Sequence, residues 1–226
     1  METNNAKRVA GALAALLLAS GAAQASRDGV EPAEMLSRGE CELELALGRQ
    51  QGSVLQGMTE LGCRAGPVQL SAELEHAREP DGSQTESALE VKWARSVGDQ
   101  WRLGLMGRTQ WQAHQHPRHD ATAIVGLATF TPREDVRLHL NLGRDFVHSG
   151  PDRNRSGIGA EWLFRPRWAA LLERYALDET QFLRGSLRWD AGRSWSVEFG
   201  HSHRLRGPEP SRWAVVVSFE LDDEDD

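Results

Sequence analysis

Histidines are the side chains of this sequence best suited to metal or proton chemistry, and three of them share one short segment. His114, His116 and His119 lie in AHQHPRHD, residues 113–120. Imidazoles at such close spacing suit zinc, copper or nickel, but Asp120 is the only carboxylate in the segment. Surface loops also collect histidines, so the segment is a weak metal candidate, and the sequence predicts no cofactor.

A second pair, His201 and His203 in EFGHSHRL, is similar to the His-x-Ser element of outer-membrane lipid A deacylases. Side chains alternate between the two faces of a strand, so Ser202 faces away from both histidines. A serine nucleophile needs its base within hydrogen-bond reach. We therefore predict no catalytic residue and no enzyme, and keep a barrel enzyme that acts on lipid as an alternative.

Two cysteines enclose the stretch CELELALGRQQGSVLQGMTELGC. A hairpin that turns at Gly52 places Cys41 opposite Cys63 and Leu43 opposite Leu61. Opposed residues of an antiparallel pair have Cα atoms about 4.5–5.5 Å apart, a separation that a disulfide accepts. A redox or metal pair is the alternative, but two isolated cysteines in an exported chain favour a structural bridge.

The elements that position these residues are strands. Apolar and polar residues alternate with a period of two through most of the chain from Glu40 onward, a pattern typical of strands. Segments rich in Gly, Pro, Asp and Asn divide it into strands of roughly ten residues. Short turns mostly alternate with longer polar loops, among them REPDGSQTE at 78–86. We therefore predict an all-β fold, an antiparallel up-and-down transmembrane β-barrel of about 12 strands with both ends on one side.

The segment WRLGLMGRTQW indicates what each side of the barrel wall contacts. Its apolar face carries Trp101, Leu105 and Trp111, and its polar face carries Arg102 and Arg108. The two tryptophans are expected roughly 23 Å apart along the membrane normal, the spacing of the aromatic girdles of outer-membrane barrels. We expect the apolar face to contact lipid, so that an arginine at Leu105 is more damaging than truncation of Arg108.

The opposite faces of the strands form a charged surface that we predict to line a lumen. Acidic residues dominate the first four strands, and basic residues dominate strands five to ten. The pattern is compatible with an internal salt-bridge network and with a water-filled lumen. Two segments, ATAIVGLATF and RWAALLERYA, are apolar on both faces and are left unassigned. The predicted lumen-lining residues are Glu42, Glu44, Glu60, Glu73, Glu90, Lys92, Arg102, Arg108, Arg137, His139, Glu161, Arg184, Arg188 and Glu198.

The start of the chain carries the signal for export. Lys7 and Arg8 precede the apolar run VAGALAALLLASGAA, which ends in Ala23-Gln24-Ala25. This pattern predicts a cleaved secretory signal peptide, with a membrane anchor as the alternative. The formal net charge of −7 gives no support for nucleic-acid binding. The predicted divisions are a signal peptide at 1–25, an N-terminal linker at 26–39, a β-barrel at 40–221 and an acidic tail at 222–226.

The signal peptide and the stretches GECELELALG, GDQWRLGLMG and RWAVVVSFEL resemble the small outer-membrane β-barrel proteins of Gram-negative bacteria. The resemblance is greatest to the porin-like "transporter" group that includes the MetA-pathway barrels. It implies an outer-membrane location with the C-terminal tail in the periplasm, and membrane lipid and the barrel-assembly machinery as partners. The predicted function is a passive channel or small-solute transporter with a charged lumen. The alternatives are an outer-membrane lipid-modifying enzyme and a soluble periplasmic ligand-binding β-barrel.

Overall fold

The structure, a computed structural model, describes residues 29–50, 55–79, 82–113, 115–177, 179–192 and 194–221. The predicted signal peptide and acidic tail lie outside the described residues. The strands in this part of the chain are β1 (Cys41–Gln50), β2 (Leu55–Ala65), β3 (Val68–Glu79), β4 (Gly82–Val97), β5 (Trp101–Gln112), β6 (His119–Arg133), β7 (Val136–Val147), β8 (Arg153–Arg165), β9 (Trp168–Leu177), β10 (Thr180–Asp190), β11 (Trp195–Arg206) and β12 (Arg212–Leu221).

These strands form a closed barrel in which each strand pairs antiparallel with the next along the chain. Closure comes from β1 and β12, whose register runs from Cys41 opposite Leu221 to Gln50 opposite Arg212. Each strand therefore has a hydrogen-bonded neighbour on both sides, and the sheet has no free edge. The predicted all-β, up-and-down barrel is confirmed. Among the described residues, no helix is long and apolar enough to cross a membrane.

Both ends of the barrel chain lie at the same end of the cylinder, which we call the terminal end; the other is the loop end. The connection expected to be long at 78–86 is shorter than predicted, because β3 continues to Glu79 and β4 starts at Gly82. Glu86 lies opposite Glu75 and Gln84 opposite Ala77, so the polar residues there belong to a paired hairpin. Their polarity therefore does not mark a loop.

The outer face of the wall is a belt of exposed apolar side chains. Leu105 on β5 and Ile158 on β8 are 53% and 59% exposed, so the described chain leaves more than half of each side chain uncovered. A continuous apolar exterior of this kind is the surface that a lipid bilayer solvates. Other members of the belt are Leu45, Leu61, Leu74, Leu89, Leu140, Leu172, Leu187, Phe199 and Val215.

Aromatic residues border the apolar belt at both ends. Near the terminal end, Trp101 stacks on Phe130 with ring centroids 4.6 Å apart, and Trp189 lies 6.0 Å from Trp168 and 6.1 Å from Trp195. Rings with an apolar body and a polar edge are favoured at the interface between lipid and water. Near the loop end, the corresponding ring is Trp213, which stacks on Phe199 of the belt with centroids 5.2 Å apart.

The predicted disulfide is confirmed between Cys41 and Cys63, at the terminal end. The register of β1 and β2 is also the predicted one, since Cys41 lies opposite Cys63 and Leu43 opposite Leu61. The bridge joins the first strand of the barrel to its neighbour beside the β1–β12 seam. It thereby fixes the point at which the chain enters the barrel.

The first prediction from the fold compares two arginine substitutions that differ only in depth. Leu105 lies in the middle of β5 and is 53% exposed, and Leu55 begins β2 at the loop end and is 55% exposed. In a bilayer, Leu105→Arg is expected to lower the free energy of unfolding by ~2–4 kcal/mol and Leu55→Arg by ~0–1 kcal/mol. Urea unfolding in lipid vesicles measures both values. Equal small effects would mean that water, not lipid, surrounds the belt.

Candidate functional site: the charged interior

The interior of the barrel carries all the side chains predicted to line a lumen, because alternation along each strand turns them inward. Lys92 is 1% exposed and Glu198 is 2% exposed, whereas the apolar side chains beside them on the strands are solvent-exposed or partly exposed. Arg102 and Arg137 are the partly exposed members near the terminal end. The structure thus brings these residues into one polar interior.

On β7 to β10, the interior charges form compact ion-pair groups. The carboxylate of Glu161 lies 2.7 Å from a guanidinium nitrogen of Arg188 and 3.4 Å from one of Arg137. The Nε2 atom of His139 lies 3.9 Å from the same carboxylate. Several donors on one carboxylate offset much of the cost of removing that charge from water.

A second group links neighbouring strands in the same way. Arg184 lies between two carboxylates, 2.6 Å from Glu198 and 3.4 Å from Glu173. Arg155 on β8 donates two hydrogen bonds, each 3.1 Å long, to the two oxygens of Asp145 on β7. The inner wall from β7 to β11 is therefore close to electrically balanced.

The inner wall of β1 to β4 is not balanced. Glu42, Glu44 and Glu60 form no ion pair with any described residue, although Ser218 donates a hydrogen bond to Glu44. One carboxylate oxygen of Glu42 is buried without a hydrogen-bond partner among the described atoms. We call Glu42, Glu44 and Glu60 the unpaired acids. They give this side of the interior more carboxyl groups than cationic partners.

Residues 29–38, which we call the inner segment, run into the barrel; residues 29–36 lie inside it, and Ser37 and Arg38 are exposed. They belong to the predicted N-terminal linker, and nothing in their composition distinguishes them from one. The segment forms no strand, and its backbone N–H groups donate to side chains of the wall: Val30 to Glu173 at 3.1 Å, Glu31 to Asn141 at 2.6 Å, Ala33 to Thr129 at 3.0 Å and Leu36 to Gln69 at 3.0 Å. These buried N–H groups thus find acceptors although the inner segment pairs with no strand.

Apolar side chains of the inner segment fit into the wall. Ala33 is fully buried and packs with Met106, Val125 and Leu127. Val125 and Leu127 lie on β6 and explain why ATAIVGLATF is apolar on both faces, since one face contacts lipid and the other contacts the inner segment. That double apolar pattern is the sequence signal for an internal partner.

A second apolar contact holds the start of the inner segment. Val30 packs with Tyr175 on β9 and Phe182 on β10. Gly157 provides the space, because a Cβ atom there would lie 2.8 Å from a methyl group of Val30. The inner segment is thus fitted to a specific part of the wall.

One ion pair joins the inner segment to the acidic side. Lys92 Nζ lies 2.6 Å from the carboxylate of Glu31, and Lys92 is almost completely buried. The backbone carbonyl of Glu31 also accepts a hydrogen bond of 2.7 Å from the side chain of Asn141. Glu31 therefore connects β4 with β7 across the interior.

The space that remains around the inner segment is small. One interior cavity has a volume of about 40 Å³ and is lined by Gly29, Glu31, Glu44, Glu60, Arg108 and Asn141, among others. A single water needs at least about 10–15 Å³ by this measure. The cavity holds a few waters and no larger solute.

The histidine segment shows no metal site in the described part of the chain. His114 lies outside the described residues. Among the others, no group of three or more His, Cys, Asp or Glu side chains is placed to hold a metal ion. His119 instead contacts the Thr122 hydroxyl at 3.1 Å and the rings of Trp111 and His148.

The second histidine pair does not form a catalytic arrangement with Ser202. Ser202 points inward, where its hydroxyl accepts a 3.1 Å hydrogen bond from Tyr175. His201 points outward and stacks on Trp213 with centroids 4.0 Å apart. The two side chains therefore lie on opposite sides of the wall, and the serine has no base from this pair.

The fold and this interior define a porin-like outer-membrane β-barrel protein. The closed barrel, the apolar belt with aromatic borders and the charged interior are the features of that class. The chain belongs to the family described as "Uncharacterised conserved protein UCP029691", whose model matches residues 12–218. No curated protein sequence matches the chain.

Solved structures of outer-membrane channels have the same fold. The KdgM porin is 11% identical, with a TM-score of 0.64, and the match covers 80% of this chain and 99% of that porin. The NanC porin is 13% identical, with a TM-score of 0.62 and coverage of 79% and 100%. The COG4313 outer membrane channel from Pseudomonas putida F1 is 11% identical, with a TM-score of 0.61 and coverage of 85% and 100%. At these identities the likeness establishes the fold.

The ion pairs revise the expectation that truncation of Arg108 is mild, and this gives a second prediction. Arg108 lies 2.9 Å from Glu73 and 3.8 Å from Glu90, with 7% of its side chain exposed. Arg108→Ala leaves two buried carboxylates without their cation, so we expect a loss of ~3–5 kcal/mol in unfolding free energy.

The control is Arg133, whose pair with Asp135 is 3.0 Å long and whose side chain is 73% exposed. Arg133→Ala is expected to cost ~0–1 kcal/mol, because water screens the pair. Urea titration in vesicles compares the two variants. A cost for Arg108→Ala as small as that for Arg133→Ala would show that water compensates Glu73 and Glu90.

Proposed function

We propose that the protein is a passive channel for small solutes in the outer membrane. The observation that carries the proposal is the closed barrel with an apolar exterior and a charged interior. An apolar exterior requires lipid, and a charged interior provides a polar route through it. The fold shared with KdgM, NanC and the COG4313 channel supports this function.

The charge on the inner wall indicates which solutes pass most easily. One solved structure of the KdgM porin is a complex with disordered oligogalacturonate. In this chain, the unpaired acids Glu42, Glu44 and Glu60 leave one side of the interior with carboxyl groups that no described cation neutralises, and we take these groups as the source of negative charge in a water-filled lumen. Charged groups that line a pore attract the opposite ion and repel the like ion. We therefore propose a preference for cations and for small neutral or cationic solutes.

Export and orientation follow the same proposal. A signal peptide cleaved after Ala25 delivers the chain to the periplasm, and the barrel-assembly machinery inserts it among outer-membrane lipids. The terminal end, with its short turns and the acidic tail at 222–226, then faces the periplasm, and the loop end faces outward.

The third prediction tests the channel itself. Protein extracted from the outer-membrane fraction should migrate differently on a gel before and after boiling, as a folded barrel does. In planar bilayers, we expect discrete conductance steps from the folded fraction and none from the boiled fraction. Recovery of the protein in the soluble periplasmic fraction, with no gel shift, would overturn the proposal.

The fourth prediction concerns selectivity. In a salt gradient, the wild-type reversal potential should have the sign of a cation-preferring pore. Removing two of the unpaired acids with Glu44→Gln and Glu60→Gln should move it toward zero, because the glutamine side chain keeps the shape and loses the charge.

Glu134→Gln, in the exposed turn between β6 and β7, removes the same kind of charge from outside the interior. This control should keep the wild-type reversal potential. An anion-preferring wild-type pore, or equal shifts from Glu134→Gln and from the interior pair, would contradict the assignment of selectivity to the unpaired acids.

A further inference from the structure

The inner segment spans the interior from one side of the barrel to the other. It is bonded to Gln69 on β3 and Lys92 on β4, and also to Asn141 on β7 and Glu173 on β9. In the closed strand order, β3 and β9 are separated by five strands in either direction. Contacts to both walls mean that the segment crosses the path that a solute would follow.

The inner segment is not part of the sheet. Every barrel strand already pairs with two neighbours, so the ladder is complete without residues 29–38. Four of its backbone N–H groups donate to side chains of the wall, two of its carbonyls accept from Asn141 and Arg64, and Glu34 accepts from Thr129. The Glu31–Lys92 pair and the apolar contacts of Val30 and Ala33 complete the set. These contacts can break while the barrel remains closed.

The base of the inner segment has a joint at the terminal end. Gly39 is exposed, adopts φ = 83° and would meet no atom within 4 Å at its Cβ position. A positive φ is readily adopted by glycine and strained for other residues. Arg64 on β2 donates a 2.7 Å hydrogen bond to the Leu36 carbonyl, just before this joint.

From these observations we propose that the inner segment is the gate of the channel. In the closed state it occupies the lumen and leaves small cavities, one of about 40 Å³ beside the segment and one of about 60 Å³ nearer the loop end. The open state forms when residues 29–36 leave their sites on the wall and swing about Gly39 toward the terminal end. Their departure exposes Gln69, Thr129 and Asn141 to the solute and removes Glu31 from Lys92. This inference rests on the proposed channel function.

The conduction experiment changes the inner segment and leaves the wall untouched. Ala33 is completely buried against Met106, Val125 and Leu127, so Ala33→Leu adds three carbons where no space exists. Ser37→Leu enlarges an exposed residue of the same segment and is the matched control. Both are made in the full chain, and the gel shift on boiling verifies that each barrel is folded.

We expect Ala33→Leu to raise the mean current per channel several-fold over that of wild type and of Ser37→Leu in planar bilayers. A second readout does not depend on conduction. Met106→Cys places a thiol beneath Ala33, while Cys41 and Cys63 stay bridged. A water-soluble maleimide should label this thiol slowly alone and several-fold faster when combined with Ala33→Leu.

Three results would overturn the gate. If the label reacts faster but the current does not rise, the segment has left a lumen that still does not conduct, and the channel proposal fails with it. If wild type already carries the full current of Ala33→Leu, the channel stands and the segment is not its gate. If Ala33→Leu folds and changes neither readout, the interior is not closed around Ala33.

Discussion

Backbone amide and carbonyl groups placed in lipid have to find their hydrogen bonds within the protein, because the bilayer core offers none. The closed ladder from β1 to β12 satisfies this constraint, and most other features follow from it. Closure fixes the alternation of side chains, so that one face of every strand meets lipid and the other meets the interior. The apolar belt, the aromatic borders and the concentration of charge inside are consequences of that geometry.

The interior meets a second constraint, since charges confined within a narrow barrel need partners. On β7 to β11 the partners lie on neighbouring strands or, for Glu161 and Arg188, two strands apart, and Glu161, Arg184 and Arg188 are held in short ion pairs. On β1 and β2 the unpaired acids have no such partners among the described residues. The asymmetry exists only in the closed barrel, because closure places the inner wall of β1 and β2 opposite that of β7 to β11.

The fold was predictable from the sequence because apolar and polar residues alternate along barrel strands with a period of two. The Cys41–Cys63 bridge, the β1–β2 register and the inward placement of the charged residues all follow from that period and one turn position. The hairpin at 78–86 was harder to predict, since a strand that extends beyond the lipid loses the apolar face that identifies it. The inner segment was not predicted, because it has no periodicity of its own. Its only trace was the second apolar face of β6, around Val125.

The position of the inner segment has a consequence for the order in which the protein assembles. Val30 precedes its partner Glu173 by 143 residues, and Ala33 precedes Thr129 by 96. The stretch that precedes the whole barrel in the chain thus has no complete binding site until β6, β7 and β9 have joined the sheet. Contacts between residues so distant in the chain form late, since the intervening chain must first be ordered. The inner segment is therefore expected to be synthesised before the barrel strands and to bind inside the barrel after they have paired. Until then, the Cys41–Cys63 bridge holds the start of β1 at the terminal end.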